Sequence, residues 1–218
     1  MRRLSVNTFI SLDGVMQAPG GPQEDPTGHF AYGGWNVTFW DEVMGQAMAK
    51  AFDKPYELLL GRKTYEIFAA HWPYVSDDTA ADWLNAVTKY VASRTLEEVT
   101  WNGAKLLTGD AGEAVAALKR QDGPDLQVHG SGVLLQTLLE RDLVDEFTVW
   151  TFPVLLGSGK RLFGAGTLPG GLRLVECETS TTGVVIAKYE RAGDVPLGSF
   201  VPSEPSEAEL RRRENLVG

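Results

Sequence analysis

Short apolar runs alternate with amphipathic segments along most of the chain. From Arg3 to Ile10, Leu4, Val6, Thr8 and Ile10 share one face, which predicts a strand. Residues 17–36 break the pattern with Pro19, Gly20, Gly21, Pro22 and Pro26, and predict a long loop. Val37 to Phe52 places Phe39, Trp40, Val43, Met44, Ala47 and Ala51 at spacings of three and four, which predicts a helix ended by Pro55. Further strands are predicted at Glu57–Leu60, Tyr90–Ala92, Lys105–Leu107, near Leu126–His129, and at Glu146–Phe152. Between them lie helical stretches at Arg62–Ala70, 79–87 and Asp110–Arg120, with Asp110 as a cap, and one after Gly132 carrying Leu134, Leu135, Leu138 and Leu139.

Strands that alternate with helices argue for an α/β layered domain around a mainly parallel sheet. The end of the pattern differs, since Leu172–Glu178 and Val184–Glu190 flank Thr-Ser-Thr-Thr-Gly and read as an antiparallel hairpin. One domain over residues 1–192 is expected. A Pro/Glu/Arg-rich tail follows over 193–218, with a short helix at Glu207–Leu216. The triplet Arg211–Arg213 is interleaved with glutamates and reads as a solvated face.

Bulk composition narrows the functional classes. The 218 residues are 43% hydrophobic and 22% charged, with a net charge of -9, which disfavours a nucleic-acid partner. No apolar run approaches the roughly 18 residues of a membrane span, and Asp13 interrupts the first segment before a signal-peptide core forms. The lone Cys177 and three scattered histidines supply neither a disulfide nor a zinc constellation, and no metal is expected. The H-x-E and P-C-x-x-C signature of a cytidine-deaminase-type module is missing as well. A cytoplasmic protein acting on a small molecule is the expectation.

Candidate chemistry gathers at three strand ends. In Gly61-Arg62-Lys63-Thr64 a helix opens with two cations in its first turn, against the dipole preference, a conflict that a bound anion relieves. Ser93-Arg94 ends the next strand and offers a hydroxyl beside a guanidinium fork, a pairing suited to phosphate. Gly130-Ser131-Gly132 joins a strand to a helix N-terminus, where glycine lets a phosphate approach the backbone. Each motif alone is also satisfied by a bland turn or a surface cation. Together, at the carboxyl ends of strands in one sheet, they converge on an extended dinucleotide.

The segment Gly61-Arg62-Lys63-Thr64-Tyr65-Glu66 resembles the cofactor motif of dihydrofolate reductases, as does Ser93-Arg94. Residues 126–163, with Gly-Ser-Gly, Leu-Val-Asp-Glu-Phe and Pro-Val-Leu-Leu-Gly-Ser-Gly-Lys-Arg-Leu-Phe, are similar to the reductase domain of bacterial riboflavin biosynthesis, as is Ser11-Leu12-Asp13-Gly14-Val15. The resemblance spans roughly residues 1–190. It implies a three-layer α/β/α dihydrofolate reductase-like fold and an NADPH-dependent reductase acting on a small heterocyclic or imine-type substrate, pyrimidine-like or pterin-like. It further implies that Gly61, Arg62, Lys63 and Thr64 grip the cofactor phosphates and that Ser93 and Arg94 hold the 2′-phosphate. Gly130, Ser131, Gly132, Val133 and Leu134 then form the pyrophosphate turn. Asp13, then Asp41, are the candidate proton donors beside an ordered water, with a bland Asp-Gly turn an equal reading of Asp13, and Gly14, Trp35 and Glu42 are the candidate substrate contacts. A catalytically silent NADPH-binding or interaction protein, and a true dihydrofolate reductase, remain alternatives.

Several single residues carry two readings. His129 precedes the glycine turn and reads more readily as a packed, hydrogen-bonded ring than as a cofactor ligand. Trp35 and Trp40 suit core or lid packing before substrate stacking. Lys160 and Arg161 suit a surface role before contact with a substrate phosphate. In the terminal hairpin Val175, Val185 and Ala187 alternate with polar residues, so the core helices or a second copy must cover that face. A homodimer with the tail across its interface is the expectation.

Overall fold

A computed structural model describes residues 1–164, 167–200 and 204–216 of the chain. The strands are β1 (Leu4–Ser11), β2 (Tyr56–Gly61), β3 (Lys89–Ala92), β4 (Ala104–Leu107), β5 (Asp125–His129), β6 (Glu146–Phe152), β7 (Leu172–Thr179) and β8 (Val185–Arg191). The helices are α1 (Glu42–Phe52), α2 (Arg62–Ala69), α3 (Thr79–Ala86), α4 (Ala111–Lys119), α5 (Gly132–Glu140) and α6 (Glu207–Glu214). All eight strands join one sheet in the order β4-β3-β2-β5-β1-β6-β8-β7. Pairing is parallel from β4 to β6, and antiparallel where β8 meets β6 and β7.

Burial on both faces explains why the central strands read as apolar runs. Leu58, Leu59 and Leu60 of β2 are all fully buried, yet alternate between two cores. Leu59 joins Leu4, Val6, Leu126 and Val128 against Val115 and Leu118 of α4 and the four leucines of α5. Leu58 and Leu60 face Tyr65 of α2 and Leu84 of α3 on the other side. A third cluster sets Met44 of α1 against Trp150, Phe152 and Ile186, together with Trp35 and Phe30 from the loop after β1. The layers are therefore α/β/α, as expected.

The long helix expected over Val37–Phe52 is split. Val37–Phe39 forms a 3-10 turn, Trp40 is extended, and α1 starts afresh because the Asp41 carboxylate accepts the Met44 amide at 2.9 Å. Helical spacing of the apolar positions concealed that break, whose signal is the capping aspartate itself. In the hairpin, Ala187 is covered but Val175 and Val185 remain exposed, as does every residue of β7. The short helix of the tail is α6, with none of its residues buried, while residues 201–203, 217 and 218 of the tail lie outside the described residues.

Candidate functional site

The carboxyl ends of β1, β2, β3 and β5 open on one rim, and a cleft of about 680 Å³ runs along it. Such a rim is where open α/β sheets take ligands. One wall is built by two helices that begin there. Gly61 and Ser131 stand at the N-caps of α2 and α5, and neither helix has a side-chain cap. By contrast, Asp41, Asp78, Asp110 and Ser206 cap α1, α3, α4 and α6 with side-chain oxygens. Uncapped first-turn amides seek an external acceptor, and the helix dipole favours one with negative charge.

These two helix starts are locked together. The Gly61 amide donates to Ser131 Oγ at 2.9 Å, and the Ser131 amide donates to Thr64 Oγ1 at 3.0 Å. Each hydroxyl thus accepts from protein and keeps its own proton to donate. The turn depends on left-handed backbone, with φ at +68° for Gly130 and +61° for Ser131. A Cβ on Gly130 would lie 3.6 Å from Thr64 Oγ1, so the protein leaves room there and the conformation itself favours glycine.

Cations stand around this wall. Arg94 and Lys63 are exposed at the cleft, and no ion pair or hydrogen bond occupies their side chains among the described residues. Arg62 is engaged by Glu66 one turn on, at 3.1 Å. Ser93 Oγ accepts the Thr95 and Leu96 amides at 3.1 and 3.0 Å, which leaves its proton free as well. Two open helix starts, three hydroxyl donors and two unpaired cations fit a ligand carrying several phosphates.

The facing wall comes from β1 and from residues 17–36. That loop doubles back on itself so closely that a Cβ on Gly33 would lie 2.5 Å from the Gly21 carbonyl oxygen. Gln17 organises it. Its Nε2 donates to the Asp25 and Thr27 carbonyls at 2.9 and 2.8 Å, and its Oε1 accepts the Lys160 amide at 3.1 Å. Lys160 pairs with the Asp25 carboxylate and donates to Thr27 Oγ1 at 3.0 Å, which ties the loop to the Gly-Ser-Gly-Lys-Arg turn 135 residues away. Gly159 permits this approach, since a Cβ there would meet Val15 at 2.5 Å.

The residues expected to hold phosphates lie together. Gly61, Arg62, Lys63, Thr64, Ser93, Arg94 and the run Gly130, Ser131, Gly132, Val133 and Leu134 all line the cleft. The residues expected at the reacting end do not. Asp13 accepts from Ser11 Oγ at 2.6 Å and from the Leu156 and Gly157 amides at 3.1 and 2.8 Å, with Arg161 at 3.6 Å. The Ser11 hydroxyl first, then the Leu156 amide, hold its carboxyl down at about 2. It is a loop anchor outside the cleft lining. Gly14, at φ +84°, makes the turn beside it. Asp41 caps α1 and accepts both Thr181 N–H and Oγ1–H at 2.7 Å, away from the cleft. Glu42 is exposed and accepts from Gln46, while Trp35 is buried against Phe152 with its Nε1 donating to the Gln17 carbonyl.

His129 lines the cleft, and its half-buried ring stacks on Phe52 at 5.6 Å and meets Gln127 Oε1 at 3.1 Å. Burial pushes it down to about 4, so it is neutral at physiological pH. Among the polar residues of the cleft that sequence reasoning missed are Asn7, Thr8, Glu24 and Asn36. Thr8 had been read only as part of an alternating strand face. For Asn7 the available signal is a polar side chain in the middle of a central strand, on the face opposite Val6 and Thr8. Glu24 and Asn36 give none, because the fold of the loop alone turns them inward.

A cleft along the strand carboxyl ends of a mixed sheet between two helical layers defines the class, a dihydrofolate reductase-like fold. Residues 2–186 match the RibD C-terminal domain, and the chain belongs to that family. Among curated proteins, YyaP of Bacillus subtilis (strain 168), itself uncharacterised, is 30% identical over 196 residues, covering 88% of this chain and 96% of YyaP. Solved structures agree on the fold. A protein from Shewanella sp. PV-4, provisionally assigned to riboflavin biosynthesis, superposes with TM-score 0.61 at 23% identity, covering 87% of this chain and 99% of that one. Dihydrofolate reductase from Enterococcus faecalis, complexed with NADP(H), gives 0.55 at 13% identity, with 87% and 96% covered. The deaminase/5-amino-6-(5-phosphoribosylamino)uracil reductase of Thermotoga maritima gives 0.57 at 12% identity, with 88% of this chain and 57% of the Thermotoga chain covered.

Proposed function

We propose that the protein is an NADPH-dependent reductase that passes a hydride to a small heterocyclic or imine-type acceptor, pyrimidine-like or pterin-like. The observation that carries this reading is the pairing of two uncapped helix starts, α2 and α5, on one cleft beside the unpaired Arg94 and Lys63. Family membership supports reductase chemistry, and the NADP(H) complex of the Enterococcus neighbour supports the cofactor class.

When bound, the dihydronicotinamide supplies the hydride. The chain's own residues bind and orient. The Gly130–Leu134 turn would take the pyrophosphate at the start of α5, and Arg62, Lys63 and Thr64 would take phosphate oxygens at the start of α2. Ser93 and Arg94 would take the 2′-phosphate and so favour NADPH over NADH. Neutral His129 lines the cleft, packs on Phe52 and would present no charge to a bound ligand.

Fluorescence titration with NADPH, followed by oxidation at 340 nm against a panel of pyrimidines and dihydrofolate, tests the proposal. Saturable binding and turnover of one acceptor are expected. No binding would sink the reductase reading. The engagement of both Asp13 and Asp41 elsewhere favours one second reading, a silent NADPH-binding protein on this fold, for which binding without turnover is the expected result. We also propose a homodimer, supported by Leu172, Leu174 and Val175 exposed on the edge strand β7. Light scattering over a dilution series should give twice the chain mass, and a monomer at every concentration would remove this proposal.

A further inference from the structure

The wall facing the phosphate rim carries unused hydrogen-bonding capacity. Asn36 and Thr8 are each 5% exposed and Asn7 is 7% exposed, and all three line the cleft. No hydrogen bond engages the Asn36 side-chain amide, or the Thr8 hydroxyl on the other face of β1, among the described residues. Asn7 spends Oδ1 on the Trp150 indole at 2.8 Å, and its Nδ2 has no partner there. These atoms face the open cleft, where water can solvate them, and a ligand that displaces that water must offer polar partners in return or lose about 1–3 kcal/mol for each group left unpaired.

Charge decides what that ligand is. Glu24 lines the same cleft and accepts the Gly20 amide through Oε2 at 2.6 Å. Its neighbour Asp25 neutralises Lys160, so that cation is not available to a phosphate. Burial first, opposed by the Gly20 and Gly21 amides, with Asp25 adding and His71 opposing, raises the Glu24 carboxyl above its ordinary value, and a further cation or N–H donor laid against it relieves that penalty. The exposed cations Arg94 and Lys63 stand on the opposite wall, where the cofactor reading already employs them.

We infer that Glu24, Asn36 and Asn7 form the acceptor subsite, and that it takes an amine-bearing nitrogen heterocycle without a phosphate group. This rests on the reductase reading and narrows its substrate class. It also separates the chain from the Thermotoga neighbour, whose named substrate carries a phosphoribosyl group. In the bound state Glu24 receives the amino or ring N–H donors, while the Asn36 and Asn7 side-chain amides pair with carbonyl or ring-nitrogen acceptors.

Pyridoxamine and pyridoxamine 5′-phosphate, which differ only by the phosphate, are suitable probes for calorimetric titration of the NADPH-saturated protein. Pyridoxamine should bind saturably, at least tenfold tighter than its phosphate. Glu24→Gln keeps an oxygen for the Gly20 amide and should weaken pyridoxamine tenfold or more, with NADPH affinity changed by less than twofold. Asn36→Ala should also weaken pyridoxamine, and serves if Glu24→Gln lowers the thermal midpoint. Equal or tighter binding of the phosphate form, absence of pyridoxamine binding, or indifference to both substitutions would overturn the inference. If NADPH itself fails to bind, the reductase reading falls, and the same titrations on the free protein still decide whether the subsite exists.

Discussion

The two walls of the cleft are built in opposite ways. The phosphate wall is made of local motifs: a strand, a glycine or serine, and a helix that starts at once. Within each motif the groups sit a few residues apart, and the α2 and α5 motifs are joined by the Gly61–Ser131 and Ser131–Thr64 hydrogen bonds. The facing wall is made of side chains from β1 and from a loop that is held by partners over 130 residues distant, such as Lys160 on Asp25 and Thr27. Under the proposed function the first wall would take anions in general, whereas the second would discriminate among acceptors. Backbone-built sites bind what many relatives bind, and side-chain-built sites carry specificity.

Substitution tests the contrast most severely at Gly130. Gly130→Val places a branched side chain at φ +68° and over the turn where a phosphate would approach. Loss of NADPH binding by more than about a hundredfold is expected, since both the conformation and the approach are blocked. A variant that folds and still binds NADPH normally would place the phosphates elsewhere.

Arg94→Ala comes next. A charge-assisted bond to the 2′-phosphate is worth about 1.5–3 kcal/mol, which corresponds to a ten- to hundredfold loss for NADPH with NADH nearly unaffected. Equal losses for both cofactors in fluorescence titrations would show that Arg94 does not read that phosphate.

Thr64→Val removes the acceptor of the Ser131 amide while keeping the shape of the side chain. A smaller effect is expected, a several-fold loss of NADPH affinity, because the helix starts lose their lock but keep their amides. Pyridoxamine affinity should not change, since the facing wall is untouched. A parallel loss of both ligands would mean that the two walls are not separable.

The smallest effect on ligands is expected at Asp13. Its carboxyl is depressed to about 2, so its contribution to stability is complete above the ordinary carboxylate range and is lost as pH falls toward 2. Asp13→Asn should therefore lower the thermal midpoint at pH 7, with the deficit closing as pH approaches 2, and NADPH affinity should stay within twofold. Loss of turnover without loss of stability would return Asp13 to the chemistry.

Much of the fold was legible because central parallel strands are apolar on both faces and short, as Leu58–Leu60 are, and because the helices between them keep their spacing. The break before α1 was hidden, since apolar residues continue through Trp40 and only Asp41 marks it. The same division holds in the cleft. Glycine turns at helix starts announce themselves locally. Asp13 and Asp41 looked like reacting groups because carboxylates at strand and helix ends suit both chemistry and anchoring, and only three-dimensional partners separate the two. Glu24 and Asn36 sit in a Pro/Gly-rich loop whose course depends on Gln17, Lys160 and Gly159, so no window of sequence contains the reason they face inward.

The central claim is that the uncapped starts of α2 and α5 are the phosphate site. Amide NMR spectra of the protein titrated with NADPH test it directly. The account predicts saturable shifts that are largest at Arg62–Thr64 and Gly130–Leu134, with small shifts at the capped starts of α1, α3 and α4. Largest shifts at a capped helix start, or no saturable shift at α2 and α5, would contradict it.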